Sequence, residues 1–340
     1  MITVDRLTKK YGAKTAVEDL SFTVPDGLVT GFLGPNGSGK STTMRCMLGL
    51  DAPTSGQVLF SGSFTTGTYA KQPFAALPHK MNVAGAILDA SWFAPSRSGR
   101  NHLRAIARGA GISDARVEEC LDLVGMTDAG KYKVGGYSLG MKQRLGVATA
   151  LLGRPQHLIF DEPINGLDPE GVTWMRDTIR RQAAEGRSVL VSSHLLSEMQ
   201  LTADRVVVIG RGKLIGEYSM DEFLAGGMAV EVETPQVEEF AELVRALGMG
   251  IQEAATQPTN DSANTFRVPV PTDVNEAEIR RRIAETAMER GIVLTRLTTK
   301  RDNLEQRFLA ATAEAQEYST TAIDTTIDTA ITKENGKYHA

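Results

Sequence analysis

The sequence predicts an α/β domain with a largely parallel sheet, joined to a smaller α+β domain. Three observations carry this. Gly34-Pro35-Asn36-Gly37-Ser38-Gly39-Lys40-Ser41 reads G-x-x-x-x-G-K-[ST], a phosphate-binding loop. Strand and helix patterns alternate around and after it as far as about residue 218. Beyond residue 228 the patterns follow the order β-α-β-β-α-β.

The loop has the right setting on both sides. Leu28-Val29-Thr30-Gly31-Phe32-Leu33 reads as a buried strand, and Thr42 to Gly49 as a helix. Glycines at Gly34, Gly37 and Gly39 let backbone N–H groups wrap an anion, and the helix N-terminus adds a favourable dipole. Asn36, Ser38 and Thr42 lie in or directly behind this loop and are candidate nucleotide-binding residues. Lys40 is placed to reach the β- and γ-phosphates, and the Ser41 hydroxyl to hold Mg²⁺. At average residue usage the pattern arises by chance in roughly one per cent of chains this long, so a nucleotide is the expected ligand.

Upstream, Ile2-Thr3-Val4 and Ser21-Phe22-Thr23-Val24 alternate as strands around a turn at Tyr11-Gly12. Tyr11 is an adenine-stacking aromatic or a half-buried turn tyrosine, and residue type leaves both open. Downstream, Val58-Leu59-Phe60 and Gly85-Ala86-Ile87-Leu88-Asp89 read as short strands, the second ending in a carboxylate. Asn101 to Gly125 turns helical, with Leu103, Ile106 and Ala107 on one face and Val117, Leu121 and Val124 on another. Ser138-Leu139-Gly140-Met141 then opens an Ala/Leu-rich helix. A serine there is a plain helix cap or, through the exposed N–H groups beside it, an anion site, and residue type alone favours the plain cap.

His157-Leu158-Ile159-Phe160 runs into Asp161-Glu162-Pro163. An apolar strand ending in two acids below a phosphate loop fits a Mg²⁺-binding Asp161 and a water-activating Glu162. Gly166-Leu167-Asp168-Pro169 closes that loop, and a helix follows from Val172 to Ala184. Ser188 to Ser193 is a further buried strand that delivers His194 to the sheet edge where γ-phosphate chemistry belongs. Arg205 to Ile209 and Lys213 to Ile215 complete the domain, with its ligand at the strand C-termini.

The bulk properties narrow the class. The 37 basic and 41 acidic residues give a net charge of −4, so nucleic-acid binding is not expected. Cys46 and Cys120 form no metal-binding pair. No apolar run reaches the ~18 residues of a membrane span, and Met1-Ile2-Thr3-Val4 opens a strand rather than a signal peptide. A cytoplasmic protein is expected, with any membrane role requiring a partner that spans it.

In this order, these motifs resemble the ATP-binding subunit of ABC transporters across residues 1–218. Many ATPases carry a phosphate loop; a serine-glycine signature about twenty residues before the Asp-Glu strand is specific to this family. The resemblance implies the P-loop fold with a helical signature subdomain, ATP and Mg²⁺ as ligands, and ATP hydrolysis. It implies that Tyr11 stacks adenine, that Asp161 holds Mg²⁺ through water, and that His194 reads the γ-phosphate. It places Ser138 and Gly140 against the nucleotide of a second subunit in a head-to-tail dimer, with Asp168 connecting the two sites. Three positions depart from the pattern. The signature is Tyr-Ser-Leu-Gly-Met; Asp89 replaces a glutamine that senses Mg²⁺ and couples to the membrane subunit, which makes Asp89 a candidate Mg²⁺ residue by that alignment; Ile164 stands where threonine or serine is common. Ser192 to Met199 looks most like the drug and antibiotic-peptide exporter branch. That implies a separate membrane permease, a homodimer of ATPase subunits, and a place on the inner face of the cell membrane. A solute importer shares these motifs. A soluble member acting on ribosomes or DNA is disfavoured by the single phosphate loop and the absence of heptads.

The second domain is expected at 228–312. Ala229 to Glu233 alternates as a strand, Val237, Phe240, Ala241 and Val244 stripe a helix, and Gly250-Ile251 with Phe266 to Val270 suggest a hairpin. A helix from Glu276 to Arg290 and a strand at Ile292 to Leu297 complete a ferredoxin-like order, with Leu304 to Leu309 starting a last helix. Pro269 is expected to mark an edge strand. A regulatory or dimerising module and a packing appendage fit equally. Residues 313–340 are Thr-rich and lack bulky anchors, so a disordered tail is expected.

Overall fold

The computed structural model describes residues 1–64, 67–89, 92–225, 228–250, 252–253, 264–270 and 274–301. The expected helix at Leu304 and the tail 313–340 lie outside those residues. The chain forms two compact units, split at Glu217/Tyr218.

The first unit opens with β1 (Ile2–Tyr11) and β2 (Lys14–Val24), an antiparallel pair, then β3 (Val29–Leu33), which feeds the phosphate loop into α1 (Lys40–Met47). Next come β4 (Ser55–Phe64) and β5 (Gly67–Pro73), the short α2 (Lys80–Val83), and β6 (Ala84–Ile87). The helical run is two helices, α3 (Gly99–Gly109) and α4 (Asp114–Leu123), each capped by a serine side chain. Then follow α5 (Leu139–Leu151), β7 (His157–Phe160), α6 (Pro169–Ala184), β8 (Ser188–Ser193), α7 (Leu196–Gln200), β9 (Arg205–Gly210) and β10 (Lys213–Ser219).

These strands form two sheets. One is four-stranded, in the order β2-β1-β4-β5; the other is six-stranded, β10-β9-β3-β8-β7-β6, with parallel pairing from β9 through β6. The parallel sheet is the one expected. Its strands β3, β7 and β8 are buried at every position, which is why they read as continuous apolar runs rather than alternations. Phe22, Phe32, Met44, Phe60, Ile159 and Leu190 belong to one core spanning both sheets and α1. Strand C-termini β3, β7 and β8 therefore end together beside the start of α1.

The second unit contains α8 (Met220–Ala225), β11 (Met228–Thr234), α9 (Val237–Ala246), β12 (Gln252–Glu253), β13 (Asn264–Pro269), α10 (Glu276–Glu289) and β14 (Arg296–Arg301). From β11 the expected β-α-β-β-α-β order is present, in an antiparallel sheet ordered β12-β13-β11-β14. Phe240, Leu243, Phe266, Val268, Ile279 and Ile283 build its core. Pro269 does not mark an edge: β13 lies between β12 and β11. Among the described residues β12 pairs with Phe266 and Arg267 and not with Pro269, so none of them on that side takes an N–H from Pro269. The last strand begins at Arg296, and Ile292 lies in the preceding loop as a core residue. No helix among the described residues is long and apolar enough to cross a membrane.

Candidate functional site

At the end of β3 the chain turns through Gly34 to Gly39 and enters α1 at Lys40. Two glycines are required by the space. Gly39 has φ +103°, and a Cβ there would sit 2.7 Å from the Ala16 carbonyl oxygen. A Cβ on Gly34 would meet Ser38 Oγ at 2.5 Å and the Ile209 carbonyl oxygen at 2.6 Å. The loop walls a cavity of about 580 Å³ together with Tyr11, Thr15, Ala16, Glu162 and Arg211; Asn36 through Thr42 all face it.

Lys40 is 6% exposed, and its Nζ donates to the carbonyls of Gly34 at 2.6 Å and Pro35 at 3.2 Å. Burial lowers its pKa, opposed by the nearby carboxylates of Glu162 and Asp161. The same ammonium lies 3.5 Å from Glu162 Oε1, an ion-pair distance without hydrogen-bond geometry. Glu162 Oε1 is otherwise buried with no hydrogen-bond partner, as is Ser38 Oγ.

Glu162 stands just past β7 in the left-handed region, φ +47°. Its Oε2 meets His194 Nδ1 at 2.8 Å. His194 leaves β8 in a turn fixed by Ser193, whose Oγ accepts from Leu195 N at 2.9 Å and donates to Glu198 Oε2 at 2.8 Å. Ser192 ties the two acids together: its Oγ donates to Asp161 Oδ1 at 2.5 Å and accepts from the Glu162 N–H at 2.8 Å. Lys40, Asp161, Glu162 and His194 are thus brought together. Ser192, Arg211 and the Thr15-Ala16 wall were missed from the sequence. A serine in a strand of valines and leucines was the available signal for Ser192, since a buried hydroxyl needs partners.

Ser138, Gly140 and Asp168 form a separate group. Ser138 Oγ accepts from Met141 N at 3.2 Å and caps α5; Asp168 Oδ1 accepts from Gly171 N at 3.0 Å and caps α6. They share a second cavity of about 360 Å³ with Leu139, Met141 and Arg144. Asp89 joins neither group. β6 ends at Ile87, and Asp89 lines a third, largely apolar cavity of about 330 Å³ with Leu50, Trp92, Phe93 and His102. Among the described residues no three His, Cys, Asp or Glu side chains converge as a metal site. Ser41 and Asp161 are compatible with Mg²⁺, which keeps several waters and takes phosphate oxygens alongside one or two protein ligands.

The bacitracin transport ATP-binding protein BcrA of Enterococcus faecalis is 34% identical over 313 residues, covering 91% of this chain and 95% of its own length. The chain belongs to the ABC transporter family. The family model described as ABC transporter matches residues 17–165 of this ABC ATP-binding subunit. The uncharacterized ABC transporter ATP-binding protein YhcH of Bacillus subtilis is 45% identical over 217 residues, covering 63% of this chain and 68% of its own. A solved structure of an ATP-binding subunit of an ABC transporter superposes with TM-score 0.56 at 28% identity, covering 66% of this chain and 91% of that one. As a member of this family the protein binds and hydrolyses ATP.

Proposed function

We propose that this subunit powers export of a drug-like or peptide antibiotic through a separate membrane permease. The convergence of Lys40, Glu162 and His194 at the phosphate loop carries the motor half of this reading. The transport half rests on likeness to a bacitracin transport protein over nearly the whole chain.

In this reading Tyr11 stacks the adenine, and Asn36, Gly37, Gly39, Lys40 and Thr42 hold the phosphates. Ser41 and Asp161 hold Mg²⁺, which supplies charge neutralisation on the phosphate oxygens. Glu162 takes the proton of the attacking water as its oxygen bonds the γ-phosphorus and the bridging oxygen leaves with ADP. His194 orients Glu162 through the 2.8 Å contact and keeps its other ring nitrogen for the phosphate. A serine cap at the start of the 13-residue α5 is an anion site in its own right. It sits in a different cavity from Lys40, which is what a head-to-tail homodimer sharing two nucleotides requires. Asp168 in that cavity links the two sites. The apolar cavity at Asp89 and Trp92, which is 59% exposed, is the proposed seat of the permease, and this holds the subunit at the membrane's inner face.

Affinity capture from the cell's own membranes in mild detergent tests this. A polytopic membrane protein without an extracellular solute-binding protein is the expected catch. The same catch with a binding protein would replace export by import, and ribosomal proteins or DNA alone would overturn the transport reading.

A further inference from the structure

We propose that Asp51 is a positioning residue for nucleotide-base recognition, fixing the Tyr11 ring against the helix that grows from the phosphate loop. This rests on the reading of Tyr11 as the base-stacking residue.

Tyr11 is the last residue of β1, 47% exposed on the wall of the nucleotide cavity. An exposed ring at a strand end has rotamer freedom that a stacking ligand must remove, which weakens binding. Here the ring is already held. Its hydroxyl donates to Asp51 Oδ2 at 2.7 Å, across 40 residues of sequence. Asp51 in turn is clamped by Arg45 of α1. Nε donates to Oδ2 at 2.8 Å and Nη2 to Oδ1 at 3.2 Å, while the Leu50 N–H reaches the Arg45 carbonyl at 2.9 Å. Hydrogen bonds to an ionised carboxylate are about twice as strong as neutral ones. The hydrogen bonds from Arg45 and then Tyr11 hold Asp51 well below the usual carboxylate range, at about 2, so that charge persists at any physiological pH.

A second contact selects the ring's free face. Lys9 Nζ lies 4.7 Å from the Tyr11 centroid and is itself fixed by donating to the Ala52 carbonyl at 2.8 Å. One face of the ring carries this cation, leaving the other for a base. Lys40 and Ser41 start α1, and Asp51 follows its last turn. The eight-residue helix, ~12 Å long at 1.5 Å per residue, therefore acts as a spacer between phosphate ligands and base platform. Tyr11 stands on a separate sheet; beside an interaction with the Thr42 side chain, the Asp51 tether is what refers it to α1.

The test is steady-state ATP hydrolysis by the full chain carrying Asp51→Ala, Tyr11→Phe, both together, and Tyr11→Ala. Asp51→Ala and Tyr11→Phe, which keeps the ring and loses the hydroxyl, are each expected to raise KM for ATP about three- to tenfold, the scale of one hydrogen bond. kcat is expected to stay within about twofold, and the double variant to rise no further than the larger single, because both changes remove the same Tyr11–Asp51 hydrogen bond. Tyr11→Ala raises KM at least as much. Should Tyr11→Ala raise KM while Asp51→Ala and Tyr11→Phe do not, or should the single effects add, the tether is overturned and base stacking stands. A loss confined to kcat in Asp51→Ala also overturns it, as a general defect of α1. An unchanged KM in Tyr11→Ala removes the base-stacking reading itself.

Discussion

Replacing Ser192 with alanine should separate the two acids of the site from their common anchor. Ser192 is fully buried, so no water takes over from its hydroxyl. The change deletes a charge-assisted bond to Asp161 Oδ1, now 2.5 Å, and strands the Glu162 N–H, now 2.8 Å from Ser192 Oγ. A hydrogen bond to a charged group is worth ~1.5–3 kcal/mol, and an unpaired buried donor costs ~1–3 kcal/mol. Glu162 also sits at φ +47°, a conformation that costs ~1–3 kcal/mol and persists only while its surroundings hold it. With that N–H released, Glu162 relaxes away from Lys40 and His194. If about half of the ~2.5–6 kcal/mol lost falls on the transition state, kcat drops about ten- to hundredfold at ~1.4 kcal/mol per decade. The rest appears as a lower melting temperature. Phosphate release measured across a Mg²⁺ titration, with calorimetry on the same samples, reads both. The half-saturating Mg²⁺ concentration should rise as Asp161 loses its orientation. Wild-type kcat and Mg²⁺ dependence in Ser192→Ala would refute the reasoning.

Two further expectations concern other parts of the molecule. His157 is wholly buried between Tyr69 and Ser188, and burial, then the N-terminal ammonium, pushes its pKa down from 6.5 to about 3. The folded pKa is depressed, so the unfolded chain takes the proton first as pH falls below 6.5. Stability from this group is complete above that value and declines by ~1.4 kcal/mol per pH unit towards pH 3. His157→Asn, which does not ionise, should flatten the fall of melting temperature between these pH values; an unchanged slope would show His157 already charged in the fold. Ser138→Ala should cost about 1 kcal/mol by removing the α5 cap. It should also lower turnover at least tenfold while leaving ATP affinity of the monomer intact, and equal losses in both would place Ser138 outside a shared site.

What the sequence made legible was whatever its local chemistry demands. A phosphate loop needs its glycines, lysine and serine in consecutive positions, so Gly34 to Ser41 stood out without any knowledge of the rest. Asp161, Glu162 and His194 were legible because strands buried on both faces are continuous apolar runs, and these residues are where two such runs stop. Contacts across long separations left no local trace. Tyr11 and Asp51 meet across 40 residues because β1 and the turn after α1 fold onto each other. Asp89 was a candidate Mg²⁺ residue because it aligns with the family's Mg²⁺-sensing glutamine. The strand ends two residues earlier, and Asp89 lines the apolar cavity instead of the phosphate cavity. Pro269 misled because the edge-strand rule concerns the missing N–H, and among the described residues β12 does not pair with it. Ile164 is buried beside the Asp-Glu loop, and nothing in the structure explains its replacement of the usual threonine or serine.

Glu162→Gln tests the central claim most directly. Glutamine keeps the shape and the contact distance to His194 but does not accept the water's proton. Turnover should fall about 10²- to 10⁴-fold, the scale of general-base loss, which is ~2.7–5.4 kcal/mol in the barrier. ATP should still bind, and the ATP-loaded chain should elute as a dimer. Lys40→Ala, in contrast, should weaken ATP binding itself. Phosphate release by Glu162→Gln at near the wild-type rate would contradict the assignment of the reaction to this site.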